Sequence, residues 1–243
     1  MNVKSFYNER EVEGSSGYLR KKVLKIISTH QIKADKYLDI GNGNGDFTLM
    51  IGNEIHSNEI FGIDISNEAV RLAKEKGINS FAMNINSQQL PFPNDYLDLI
   101  TAMDIIEHLT NSDNLLNEVF RVLKPGGVFL VSSPNIGSWL AIISLLFGYL
   151  PPAYEISLEH RIGKPFGEKV KIPLAEKPIG HIKPYNLRSL KEHLEIVGFN
   201  IQDIQSTKLI NDKGVLRSLS LLDGFFSKIK IYASGIIILA KKE

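Results

Sequence analysis

Two carboxylates and three glycines in the first third of the chain are the residues whose types and spacing could do chemistry. Asp39 lies in the apolar run YLDI, and Gly41, Gly43 and Gly45 follow in strict alternation with Asn42 and Asn44. Glycines so placed let a backbone approach a ligand with no Cβ in the way. Asparagine tolerates left-handed conformations better than most residues and fits the same sharp turn. A dinucleotide pyrophosphate would want G-x-G-x-x-G, whose third position falls here on Asp46. That sets a carboxylate, with Asp39 nearby, where a doubly charged group would sit, and no G-K-S/T ending marks a phosphate loop. The loop is better matched to a ligand carrying positive charge and no phosphate. Asp64 follows 19 residues beyond Gly45, at the end of EIFGID. A carboxylate there can accept both hydroxyls of a ribose, at about 1.5–3 kcal/mol per charge-assisted bond. A solvated acid at a strand end is the competing reading.

Four histidines could exchange a proton with a bound molecule near neutral pH: His108 in IIEHL, His160 in LEHR, His181 in IGHIKPY and His193 in KEHLE. His108 follows the fourth apolar run, at the same end of the fold as the glycine loop, and either contacts a bound molecule or orders its own loop. His181 begins a segment expected to return over the site, accompanied by Tyr185. His193 reads as a helix-surface residue. No histidine–carboxylate spacing resembles a metal-ligand pattern, so no metal is expected.

The elements that must position these groups alternate in type. Residues 17–30 place Leu19, Val23, Ile26 and Ile27 on one helical face. Short apolar runs at 36–40, 59–64, 80–85, 96–103 and 128–133 read as strands. Between them come helical patterns from about Asp46, from Ser66 as N-cap through Lys76, and over about 113–123, the last stopped by KPGG. Asn186 can cap a later helix and Gly198 close it, with strand candidates near 199–210 and 231–240. Strand–helix alternation of this kind predicts an α/β fold: a Rossmann-like, doubly wound, mostly parallel seven-stranded sheet with helices on both faces. Residues 151–183, rich in Pro and Gly, interrupt the alternation and read as an inserted lid after the fifth strand. A single domain is expected, with an N-terminal helical cap (1–34), a core (35–135), a lid (136–185) and a C-terminal helix and strands (186–243).

The 243 residues, 43% hydrophobic and 23% charged, suffice for one sizeable globular core. A net charge of +1 implies no general attraction to nucleic acid, and no long basic face with interleaved aromatics is present. The absence of cysteine removes disulfides and thiolate chemistry and suits a reducing, cytoplasmic setting. No secretory signal is visible in MNVKSFYNEREVEG. The apolar stretch Ile136–Leu150, fifteen residues, falls short of the roughly 20 that span a bilayer. It reads as a buried or lid helix, or as a helix resting on a membrane surface or gripping an apolar substrate. Between Arg161 and Lys183 stand six basic residues (Arg161, Lys164, Lys169, Lys171, Lys177, Lys183) against Glu168 and Glu176. Such a basic lid would suit an acceptor with an anionic and a greasy part; a solvated loop is the alternative.

Four segments, YLDIGNGNGDF, IFGIDIS, NSQQLPFPNDYLDLITAMDIIEHL and EVFRVLKPGGVFLVSSPN, occur in the order and at spacings of class I S-adenosylmethionine-dependent methyltransferases. The resemblance covers about residues 35–135, and GHIKPYNLRSLKEHLEIVGF extends it more weakly. It implies S-adenosyl-L-methionine as cofactor, a net cation that agrees with the loop's charge, and S-adenosyl-L-homocysteine as product. It further implies that Asp39, Gly41, Asn42, Gly43 and Gly45 surround the methionine portion and that Asp64 holds the ribose. Ile65 would lie against the adenine, Asn86 and Ser87 near its edge, and Met103 along the pocket. The family often has Asp where Asn86 stands, but an amide oxygen can also accept from the adenine amino group. Arg20 would meet the cofactor carboxylate, or else belong to a solvated face. The implied reaction is direct methyl displacement onto a small-molecule or lipid-like acceptor, with His108, His181 and Tyr185 as candidate catalytic residues. Alternatives are a catalytically silent cofactor-binding domain acting through a partner, and a nicotinamide oxidoreductase, which the loop spacing disfavours.

Overall fold

A computed structural model describes residues 17–157, 160, 162–164, 180–208 and 217–243. In chain order the elements are α1 (Gly17–Thr29), β1 (Lys36–Ile40), α2 (Asp46–Glu54), β2 (Glu59–Asp64), α3 (Asn67–Glu75), β3 (Asn79–Ala82) and β4 (Leu97–Ala102). After a 3-10 turn (Ile106–His108) come α4 (Ser112–Val122), β5 (Leu123–Pro134), α5 (Trp139–Leu146), α6 (Leu187–Val197), β6 (Phe199–Thr207), α7 (Arg217–Phe226) and β7 (Gly235–Lys242). The seven strands form one sheet in the order β3-β2-β1-β4-β5-β7-β6. β1 to β5 pair in parallel, and β7 runs antiparallel to both its neighbours.

Period-two alternation in β1 divides the core. Tyr37 faces Leu19, Val23, Ile26 and Ile27 of α1 together with Ile51 of α2. Leu38 and Ile40 face the opposite layer, where Leu116 and Val119 of α4 pack with Leu190 and Leu194 of α6. Caps set the helix ends: Ser66 accepts from the Ala69 amide, and Asn186 and Ser189 bond reciprocally as a capping box. Gly198 closes α6 at φ 113°, a left-handed value that suits glycine.

Three expectations change. The third strand ends at Ala82 rather than at 85, because Met83 and Ile85 leave the sheet to line a cavity. The fifth strand begins at Leu123 rather than 128 and takes in the KPGG segment, which still ends the helix before it. Gly126 takes φ 80°, and the pairing with β4 slips between Leu97 and Leu99. The apolar stretch 136–150 contains only eight helical residues, since Ser138 caps α5 and Gly148 (φ 75°) turns the chain after it. Nor is α5 simply buried: Trp139, Ala141 and Ser144 face inward while Leu146 and Phe147 are about three-quarters exposed. Among the described residues no helix is long and apolar enough to cross a membrane.

Candidate cofactor and acceptor site

The chain leaves β1 toward β2 and β3 and then returns to β4 beside β1, so the strand order reverses between them. In open α/β sheets the crevice beyond the carboxyl ends of such strands binds ligands. Here it is a cavity of about 320 Å³, within the range of small-molecule sites. Its walls come from the end of β1 (Asp39 to Asn44), from Asp64 and Ile65 after β2, from Met83 to Asn86, and from the turn after β4 (Met103 to Ile105, His108, Leu109).

The glycines supply the loop's shape. Gly41, Gly43 and Gly45 have φ of 80°, 52° and 82°, and neither asparagine between them takes a positive φ. Left-handed backbone is thus carried by the glycines alone, contrary to the role expected of Asn42 and Asn44. A Cβ at Gly41 would lie 2.1 Å from Ile105 Cδ1, so the missing side chain keeps Ile105 on the cavity wall. Asn42 turns its side chain back under the loop. Its Oδ1 accepts from the Ser80 hydroxyl (3.0 Å) and its Nδ2 donates to the Gly43 carbonyl (2.8 Å), in space that the absent Cβ of Gly62 leaves open. Gly45 lies outside the cavity wall, packed against Ala73 and Ile78 at the start of α2. Asp46 is paired with Lys76 at 2.5 Å and is no part of the wall. The carboxylates on the cavity wall are therefore Asp39, Asp64 and Asp104, not Asp46.

Asp39 is buried at the centre of a hydroxyl network. Thr48 and Thr101 each donate to its carboxylate at 2.6 Å. The single Thr101 hydrogen is thereby directed to Asp39, so the Tyr37 hydroxyl, 2.8 Å from Thr101 Oγ1, is the donor in that contact. Burial pushes Asp39 up to about 6 against the pull of the two hydroxyls. Asp64 is raised as well, by burial outweighing its bonds to backbone amides. Its two oxygens accept the Gly43 amide (3.0 Å) and the Ser66 amide (2.9 Å). Each carboxylate oxygen has a second lone pair, so two acceptor positions remain for a diol.

The other expected cofactor contacts divide. Ile65 and Met103 line the cavity. Asn86 lines it too, but its Oδ1 accepts from the Thr110 amide (2.8 Å), the Thr110 hydroxyl (3.1 Å) and the Asn111 amide (3.2 Å). That oxygen ties two loops together, so acceptance from an adenine amino group would need one of those bonds broken. Ser87 is exposed and off the wall. Arg20 stands 5.6 Å from the ring centre of Phe47, and it is Phe47 that lines the cavity.

Of the histidines, His108 lines the cavity, with its Nδ1 3.1 Å from the Gly180 carbonyl. His181 is buried behind it, the two rings meeting edge to face at 4.6 Å. Tyr185 belongs to the core and bonds through its hydroxyl to His193 Nδ1 (3.1 Å), whose Nε2 contacts Asp113 (2.9 Å). Tyr185 and His193 thus join α6 to α4 and do not reach the cavity, so the catalytic role expected of Tyr185 is replaced by packing. His160 is exposed, and its amide bonds to the Ser157 hydroxyl.

Within the lid, Arg161, Lys169, Lys171, Lys177, Glu168 and Glu176 lie outside the described residues. Lys164 is buried, its Nζ donating to the carbonyls of Pro151 (2.5 Å), Pro152 (3.1 Å) and Tyr154. It braces the chain rather than facing an acceptor. Glu107 went unnoticed in the sequence. It has no exposed surface, and the Glu107 carbonyl accepts the amides of Ile182 and Lys183, both at 2.9 Å. Those bonds bring His181 back 73 residues to the Glu107–His108 pair, where one ligand-type atom from each of the three lies within 4.8 Å of the others. The expectation of no metal-ligand grouping rested on linear spacing, which cannot register this closure. Asp104, also on the wall, holds a left-handed φ of 54°, and its amide and carboxylate both bond to the Ser132 hydroxyl (2.9 and 2.6 Å).

Comparison with known proteins agrees with this geometry. The profile of the Methyltransf_23 family, described as a methyltransferase domain, matches residues 11–204. The demethylmenaquinone methyltransferase of Listeria monocytogenes is 28% identical over 144 residues, which are 56% of this chain and 60% of that protein. The ubiquinone/menaquinone biosynthesis C-methyltransferase UbiE of Vibrio campbellii is 37% identical over 106 residues, 40% of each chain. The chain thus spans at most about 60% of the length of these curated relatives. A solved SAM-dependent methyltransferase of Thermotoga maritima, described as a possible histamine N-methyltransferase, shares the fold. Its TM-score is 0.61 at 14% identity, covering 93% of this chain and 90% of that one. With its reversed seventh strand, its glycine loop and Asp64 facing one cavity, the chain belongs to the class I S-adenosylmethionine-dependent methyltransferases.

Proposed function

We propose that this protein transfers a methyl group from S-adenosylmethionine to a small lipid-like acceptor, a quinone-type ring bearing an apolar tail. The observation that carries the reading is a single cavity joining Asp39, the left-handed glycines and Asp64 to Met103 and His108. When bound, the cofactor supplies a methyl group already activated on a sulfonium. Asp64 would accept the ribose hydroxyls on its two remaining lone pairs, with Ile65 and Ile85 against the adenine. Asp39, whose carboxylate accepts from two hydroxyls, would face the ammonium of the methionine tail. That places the methyl group toward Met103 and His108. The chain's contribution is alignment of nucleophile, carbon and sulfur and exclusion of water, with His108 holding the acceptor or taking its proton.

A lipid-like acceptor is favoured by the surface beside the site. α5 follows β5, and α7 follows β6, at the same end of the sheet as the cavity. The two helices pack through the stacked rings of Trp139 and Phe226 (5.3 Å) and the bond from Trp139 Nε1 to Asp223 (3.0 Å). Outward they expose Leu145, Leu146, Phe147, Leu221 and Phe225, with exposed Lys228 and Lys230 just beyond. Asp223, the one acid of residues 217–234, is buried. An apolar face edged by lysines suits the interface of an anionic bilayer, from which a hydrophobic acceptor could be drawn. The relatives' names point the same way, one naming demethylmenaquinone and the other ubiquinone/menaquinone biosynthesis.

The test is incubation of the full chain with S-adenosylmethionine and a short-tailed demethylmenaquinone in anionic vesicles, with both products followed by mass spectrometry. Equimolar methylated acceptor and S-adenosylhomocysteine are expected. Cofactor binding without turnover of this or other apolar acceptors would instead favour a silent domain acting through a partner.

A further inference from the structure

Glu107 is the least expected group near the cavity. Its side chain is wholly buried, and neither carboxyl oxygen accepts a hydrogen bond among the described residues. A buried carboxyl left without hydrogen bonds is costly, so a structure retains one where something else satisfies it. An ionisable partner is His181, whose Nε2 lies 3.6 Å from Glu107 Oε1. The histidines are oriented from behind. Nδ1 of His181 lies 2.5 Å from the Ala153 carbonyl, and Nδ1 of His108 lies 3.1 Å from the Gly180 carbonyl. A carbonyl can only accept, so Nδ1 carries the proton in each ring, and the lone pair of each neutral imidazole sits on Nε2. Metal-bound histidines have this arrangement, in which one ring nitrogen donates to a carbonyl and the other ligates.

We propose that Glu107, His108 and His181 form a binding site for one divalent first-row transition ion. The donor set of two imidazoles and one carboxylate matches zinc or iron(II) better than calcium, magnesium or manganese, which prefer oxygen. Donors about 2.1 Å from a tetrahedral ion lie about 3.4 Å apart, close to the 3.6 Å between His181 and Glu107. The limit of 4.8 Å for the whole set leaves His108, the half-buried member, to swing inward by about 1 Å. Three protein ligands leave coordination positions open, as in catalytic rather than structural metal sites. Because His108 lines the cavity, an open position would face the place where the acceptor stands. Resting on the methyltransferase reading, this makes the acceptor one that presents an oxygen, a ring hydroxyl or carboxylate, to the ion.

The experiment uses the full chain, stripped with chelator and dialysed. Cobalt(II), which gives visible absorption bands when bound by such donors, is titrated in, and zinc is then competed against it. One ion per chain is expected, with at least a hundredfold weaker binding in Glu107→Gln and a rise in melting temperature with zinc in the parent only. Circular dichroism establishes that Glu107→Gln is folded; should it not be, His108→Gln, on the cavity wall, carries the same comparison. Absence of stoichiometric binding by the parent, or unchanged affinity in the folded variant, overturns the proposal. Calorimetry with S-adenosylhomocysteine on the same samples separates the two readings. Cofactor binding without metal binding refutes the ion site alone, whereas metal binding without cofactor binding refutes the methyltransferase reading and leaves the ion site standing.

Discussion

Asp39→Asn tests whether the buried acid of the loop carries the charge assigned to it. Burial raises Asp39 from 3.8 to about 6 in the folded protein. Between about pH 4 and 6 the fold therefore binds more protons at this position than the unfolded chain, and stability contributed there declines as pH rises. A difference of about two units corresponds to about 3 kcal/mol, present in full as a penalty above pH 6 and absent below about pH 4. Other carboxylates shift in both directions, so the useful quantity is the parent's stability minus that of Asp39→Asn, measured by urea denaturation from pH 4.5 to 7.5. That difference should move against the parent by about 2 kcal/mol between pH 4.5 and 7.5, on top of a constant offset from the hydroxyls of Thr48 and Thr101 losing an acceptor. The cofactor reverses the sign. A cationic group beside Asp39 favours the carboxylate, so affinity for S-adenosylhomocysteine in the parent should fall up to about tenfold per unit below pH 6 and depend little on pH in the variant. A stability difference that stays flat across this range would refute the reasoning, since Asp39 would then be ionised as easily in the fold as outside it.

Gly41→Ala should cost about 1–2 kcal/mol for its left-handed backbone, or roughly 2–8 °C in melting temperature. It should also weaken cofactor binding, because the new Cβ drives Ile105 into the cavity; calorimetry and thermal scanning read both effects. Asp64→Ala should weaken S-adenosylhomocysteine binding at least a hundredfold, and it should also lower stability because the amides of Gly43 and Ser66 lose their acceptor. His108→Ala should reduce turnover about a hundredfold or more while changing cofactor affinity only a few-fold, as seen by steady-state kinetics beside calorimetry. Replacing Leu146 and Phe147 together with Asp should abolish sedimentation with anionic vesicles and leave cofactor affinity unchanged, since neither residue touches the cavity.

The fold was legible where local chemistry decides structure. β1 and β2 fall on the residues that apolar patterning selects, and the four inward residues of α1 are those of its 3.6-residue period. Ser66, Asn186 and Gly198 act as caps because each does so within a few residues of itself. Apolarity alone misled in two places. Met83 and Ile85 continue the pattern of β3 yet line a cavity, and the 136–150 stretch is apolar on a face that points outward. The lining of the cavity was legible at Asp39, Gly41 and Gly43, which share one loop, and at Asp64, which ends the next strand. It was illegible where the chain closes over distance. Asn42 turns inward because Gly62, twenty residues on, leaves it room. Glu107 meets His181 because backbone bonds from Ile182 and Lys183 draw the later segment onto it. Tyr185 and His193, which looked available in the sequence, pair with each other instead.

The measurement that bears most directly on the central claim is calorimetric titration of the full chain with S-adenosylmethionine, S-adenosylhomocysteine and NADH side by side. The geometry of Asp39, Gly41, Gly43 and Asp64 predicts micromolar binding of the first two at one site per chain, lost in Asp64→Ala, and no heat with NADH. Binding of NADH with none of the sulfur compounds would contradict the account.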